Sequence, residues 1–100
     1  MIRGTTPRHV FRLPFLCALV KEARISYAQE GETILTKTET ECTIANDTIE
    51  VMLTQEETLK FKPRRQVEVQ LKVLTTSGEV LATRPYLVQL DNCLCEEVLA

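Results

Sequence analysis

The segment "QVEVQLKVLT", residues 66 to 75, constrains the fold more than any other. Val67, Val69, Leu71 and Val73 take alternate positions, and Glu68, Gln70 and Lys72 fill the places between them. Successive side chains of a strand point to opposite faces, so this pattern predicts a strand with one buried and one wet face. Such strands belong to antiparallel sheets. "TSGE" supplies a turn after it, and "EVLATRPYLVQL" returns as a partner strand, with Pro85 directing that strand to an edge or a bulge.

The same period recurs upstream. "HVFRLPF" puts Phe11, Leu13 and Phe15 on one side, and "KEARISYAQ" does so with Ala23, Ile25 and Tyr27. "EGE" at 30 to 32 predicts a hairpin turn centred on Gly31, answered by the β-branched run "TILTKTE". "ECTI", the turn "AND" and "TIEVMLT" give a second hairpin, in which Ile49, Val51 and Leu53 share a face. One segment departs from the period. Thr54 stands three residues before Glu57, a capping-box spacing, which predicts one helical turn near residues 55–59, with Leu53 packing against Leu59 or Phe61. The tail "NCLCEEVLA" fits either a last short strand or an arm. About seven short strands, spaced roughly 8–12 residues apart, predict an all-β, antiparallel immunoglobulin-like β-sandwich forming one domain over residues 1–100.

"RLPFLCALVK", after Arg3 and Arg8, has the outline of a secretory leader. Its apolar core is only Leu13 to Val20, Pro14 interrupts it, and Lys21 and Glu22 follow without a small-x-small cleavage site. The expectation is strand, short apolar crossing and strand, in a protein made in the cytoplasm and not exported by a signal peptide. No run approaches the ~20 apolar residues of a membrane span. A net charge of −2 gives no pull towards nucleic acid or anionic membrane.

Few residues offer chemistry. His9 is the single histidine, Asp47 and Asp91 are the only aspartates, and neither a nucleophile elbow nor a glycine-rich phosphate loop is present. The glutamates fall on wet strand faces or in the capped turn, and His9 reads as surface decoration. Cys17, Cys42, Cys93 and Cys95 lack the paired knuckles of a zinc site. A bridge from Cys42 to Cys93 or Cys95 would span two sheets, but without a leader the expectation is reduced, mostly buried thiols. As a strand, Cys93-Leu94-Cys95 would put both thiols on one face. "KFKPRR", residues 60 to 65, is the one basic cluster and reads as a solvated loop. No catalytic, cofactor or metal site is predicted, and no enzyme activity.

"IRGTTPRHVFRLPF", "LTQEETLKF" and "VEVQLKVLTTSGEVLAT" together resemble small proteins of phage and prophage structural gene clusters in Gram-positive bacteria. The layout is also similar to immunoglobulin-like domains of phage baseplate and tail proteins. The resemblance implies a non-enzymatic structural or adaptor component of a phage particle, tail, baseplate or capsid-associated. Its partners would be other virion proteins or copies of itself, as a homo-oligomer or assembly component. The apolar "FLCALV" departs from the family-like pattern, which is more polar there. The alternative is a free-standing binding module for a host protein or carbohydrate, although two tyrosines and no tryptophan make a poor sugar platform.

Overall fold

The computed structural model describes all 100 residues. Its strands are β1 (Arg8–Arg12), β2 (Val20–Gln29), β3 (Glu32–Thr38), β4 (Cys42–Ala45), β5 (Thr48–Met52), β6 (Val67–Thr75), β7 (Val80–Ala82) and β8 (Tyr86–Val88). One helical turn, α1, spans Gln55–Leu59. Short 3-10 turns at Cys17–Leu19 and Glu39–Glu41 lead into β2 and β4.

Two antiparallel sheets face each other. One has the order β1-β5-β4; the other runs β3-β2-β6, with β7 and β8 both pairing the far side of β6. The last two are one return strand interrupted once. Between Lys72 and Val69, β6 takes three steps, while its partners Ala82 and Tyr86 are four apart, so one extra residue bulges at Thr83–Pro85. Proline has no N–H for a ladder, and the bulge accommodates it on an edge strand. Counted as one, these pieces bring the total to the seven strands expected from the sequence.

In chain order the first sheet holds the first, fifth and fourth strands, and the second sheet the third, second, sixth and seventh. That is the arrangement of strands B-E-D and C′-C-F-G in a variable-type immunoglobulin sandwich, without strand A. The chain is an immunoglobulin-like antiparallel β-sandwich.

Period-two burial assembles the core. Val67, Val69, Leu71 and Val73 of β6 lie beside Ala23, Ile25 and Tyr27 of β2, and Phe11, Ile49 and Val51 cover them from the other sheet. Tyr27 is fully buried at the centre, its ring tilted against His9 and Phe61 at centroid distances of 5.5 and 6.0 Å. Leu53 and Phe61 flank α1 and are both buried, while Leu59 is only half-buried. The capping box is formed: the Glu57 N–H donates to the Thr54 hydroxyl at 3.2 Å, and the Thr54 N–H to the Glu57 carboxylate at 2.9 Å. Glu30 and Gly31 both take positive φ in the two-residue turn between β2 and β3.

"FLCALV" divides between inside and outside. Cys17 is buried and Phe15 packs against the core, but Leu16 and Leu19 face solvent. After an isolated bridge between Ile2 and Asp91, the tail is an irregular arm rather than a strand. No helix is long and apolar enough to cross a membrane.

Candidate interaction surface

The sandwich is closed on one flank and open on the other. β3 and β4 border the closed flank, where Lys37 is buried between the layers. Its ammonium lies 2.6 Å from Glu57 Oε2 on α1 and 3.4 Å from Glu41 Oε2. Burial alone lowers the affinity of an amine for its proton. Here the hydrogen bond and charge of Glu57, with Glu41 behind it, outweigh burial and hold the lysine above its ordinary range. Burial opposes ionisation of Glu57 too, but Lys37 and the Thr54 N–H bring its carboxyl below the usual range. At Glu41 the Thr38 N–H is the largest influence, again downward.

The expectation that the glutamates are solvated therefore fails at Glu57, whose side chain is 17% exposed and holds the buried cation. His9 is likewise more than decoration. Its Nδ1 is hydrogen-bonded to the Tyr27 hydroxyl at 2.7 Å, tying β1 to β2 across the sandwich. Burial, helped by the N-terminal ammonium, lowers the His9 pKa, and burial with Cys42 and Glu57 nearby raises that of Tyr27. Both side chains are neutral near pH 7.

The cysteines divide by burial and do not come together. Cys17 is buried, its thiol donating to the Thr48 carbonyl at 3.5 Å, and Cys42 is half-buried against the Thr38 carbonyl at 3.3 Å. Burial raises both thiols, with Asp47 adding at Cys17 and Glu41 at Cys42. Cys93 is half-buried and Cys95 exposed, because the arm forms no ladder that would turn alternate residues inward. The expectation of mostly buried thiols thus holds only for Cys17. Asp47 pairs with Arg12 at 3.5 Å beside the β4–β5 turn. Asp91 lies on the surface, its backbone bridged to Met1 and Arg3. In "KFKPRR", Phe61 belongs to the core, Arg65 pairs with Glu30, and Lys60, Lys62 and Arg64 are exposed.

The open flank lies between β1 and the β7–β8 return strand. A groove of about 520 Å³ runs there, floored by Phe11, Leu13, Leu71 and Val88 and lined at its polar end by His9. Tyr86 leans across the mouth, its ring 6.3 Å from that of Phe11. A smaller apolar trough of about 180 Å³ shares Leu13 and Leu71 and carries the cleft on past Phe15 and Leu81. The cause is topological: a three-stranded sheet covers one that is four strands wide.

The backbone of β1 is half free. Leu53 N–H donates to the Pro7 carbonyl and Leu13 N–H to the Asp47 carbonyl, both directly opposite pairs in the β1–β5 register. The alternation of antiparallel ladders then puts the N–H and C=O groups of Arg8, Val10 and Arg12 on the outer edge. Sequence reading missed this groove, since it depends on which strands pair; the exposed Val10 between two arginines was its one local sign.

No family model matches the chain, and no curated protein does. Among solved structures, the V domain of amphioxus IgVJ-C2 is similar, at 12% identity over 91% of this chain and 95% of that one, with a TM-score of 0.36. A likeness that loose carries no argument, and the fold assignment rests on strand order.

Proposed function

We propose that the chain is a non-enzymatic structural or adaptor component of a phage or prophage particle, working through protein–protein contacts. One observation carries the reading. Thirteen large apolar side chains are exposed, nearly as many as the fifteen in the core, and five of them (Val10, Val80, Leu81, Tyr86 and Leu87) lie on the strands bordering the open flank. Val10, Leu81 and Tyr86 line the cleft, and Val80 and Leu87 stand on the outer face of the larger sheet beside it; apolar side chains along an unpaired strand edge are what a subunit presents to a neighbour. The phage-like segments of the sequence supply the context, with virion proteins or further copies of the chain as partners.

Purified particles from a producing bacterium, analysed by mass spectrometry and cross-linking, test this. The expected result is a fixed stoichiometry and cross-links to particle proteins. Absence from particles, together with a specific hit on a glycan array or on a host protein, overturns it in favour of a free-standing binding module.

A further inference from the structure

We infer that the open flank accepts, as an added strand along β1, the C-terminal arm (residues 93–99) of a second copy of this chain. The inference deepens the structural-component reading by naming the partner and the contact.

The groove has the shape of a missing strand. Its strand border is β1, Arg8–Arg12, about 13 Å at strand rise, with the free N–H and C=O groups of Arg8, Val10 and Arg12 along it, and the apolar trough continues past Leu13 to Phe15 beyond the strand's end. An extended segment laid there pairs with β1 and lowers alternate side chains onto Phe11, Leu13 and Leu71. Nothing in the sandwich supplies that strand.

Charge excludes one occupant and favours another. Two copies of β1 paired antiparallel about Val10 would set Arg8 opposite Arg12 twice, a like-charge pairing that opposes a symmetric dimer. Both arginine side chains are more than two-thirds exposed. Each has a loose partner in its own chain, Arg8 with Glu50 at 3.3 Å and Arg12 with Asp47 at 3.5 Å, exposed pairs that an incoming carboxylate can share. The arm supplies such carboxylates: it carries Glu96 and Glu97 among apolar residues and has neither glycine nor proline. Leu94, Val98 and Leu99 are all exposed in its present position. Period two separates the two carboxylates in any register. One lies on the outer face beside Arg8 or Arg12, and the register that keeps the other off Phe11 and Leu13 is the one that brings it to His9 and Thr83, the polar groups of the groove.

In its own chain the arm is held lightly. Glu96 meets Arg3 at 2.5 Å, and the Gln55 amide makes two bonds of 2.8 Å to the Leu99 backbone. Moving to a neighbour exchanges these contacts for a ladder and apolar burial, and Arg3, largely buried, keeps its bonds to the Leu59 and Phe61 carbonyls when Glu96 leaves. Two copies that exchange arms reciprocally close as a dimer, and a one-way contact, arm and groove being different surfaces, repeats head-to-tail into rings or filaments.

Light scattering on the full chain under reducing conditions tests this, with unfolding curves confirming that each variant is folded. Wild type is expected to associate with rising concentration. Val10→Pro removes an N–H that the fold does not use and should weaken association by about tenfold or more. Glu96→Arg/Glu97→Arg should do the same from the arm side. An equimolar mixture of the two variants should give a dimer with one of each, since one retains its arm and the other its groove. A wild type that stays monomeric into the high micromolar range, a Val10→Pro chain that associates like wild type, or a mixture that stays monomeric overturns the inference. Its fate is separable from that of the broader reading. A monomer found in particles sinks only the arm contact, whereas arm-to-groove assembly of a chain absent from particles sinks only the particle role.

Discussion

Lys37 of β3 and Glu57 of α1 are 20 residues apart in sequence and 2.6 Å apart in space, and their ion pair closes one flank of the sandwich. Glu57 has two tasks, since the same carboxylate caps α1 by accepting from the Thr54 N–H. Replacing Glu57 by Gln should cost about 2 kcal/mol in urea unfolding, less than the ~3–5 of a wholly buried pair, because Glu41 still reaches the ammonium. The double variant Lys37→Met/Glu57→Gln should regain much of that loss, the buried charge having gone with its partner.

The pair also sets a pH dependence. The Glu57 carboxyl is lowered in the fold, so its contribution is complete above the ordinary glutamate range and is lost as pH falls through that range and below. Lys37 is raised, so its contribution is complete below the ordinary lysine range and disappears as pH climbs above it. Unfolding midpoints measured across pH should fall at both ends. The acid limb should be shallower in Glu57→Gln.

His9 acts in the opposite sense to a histidine that gains a salt bridge. Burial lowers its folded pKa, so its contribution is complete above the ordinary histidine range and declines as pH falls through it. Proton NMR should show the ring titrating below that range. Tyr27→Phe removes the 2.7 Å hydrogen bond and should cost about 1 kcal/mol.

Glu30 takes a φ of 52° in the turn before Gly31, a conformation that asparagine tolerates better than glutamate. Glu30→Asn should therefore raise stability by about 0.5–1 kcal/mol, the lost surface pair with Arg65 mattering little. Chemical denaturation decides it: an unchanged or lower midpoint is the contrary result.

Thiol labelling of native protein should rank Cys95 first and Cys17 last, with Cys42 and Cys93 between them, following their exposure. Four thiols should react once the chain is unfolded. Fewer would mean a bridge that the structure does not contain.

The fold was legible because its strands obey period two, and the capping box marked α1 to the residue. Lys37 was hidden for a specific reason. Counting back from the Glu30–Gly31 turn pairs Gln29 with Glu32 and would set Ile25 opposite Thr36, with Lys37 facing outward. A bulge between Tyr27 and Ala28 shifts the register by one, so Ile25 meets Lys37 and the lysine turns inward. Nothing in the local residues announces that bulge. The groove was hidden by a longer-range fact, the pairing of β1 with β5. The arm misled differently: "CLCEEVL" has no partner strand in its own chain, and without one its spacing dictates no facing.

The break at Thr83–Pro85 has a further consequence. It cuts the return strand into two three-residue pieces, and Leu71, facing the break, is bonded through both its N–H and its C=O to Thr83. Neither piece is long enough to hold a foreign strand in register. The larger sheet therefore cannot grow sideways from this border, and runaway stacking of copies by that route is blocked. Of the two lips of the cleft, one is blunted and the other, β1, is left to do the reading.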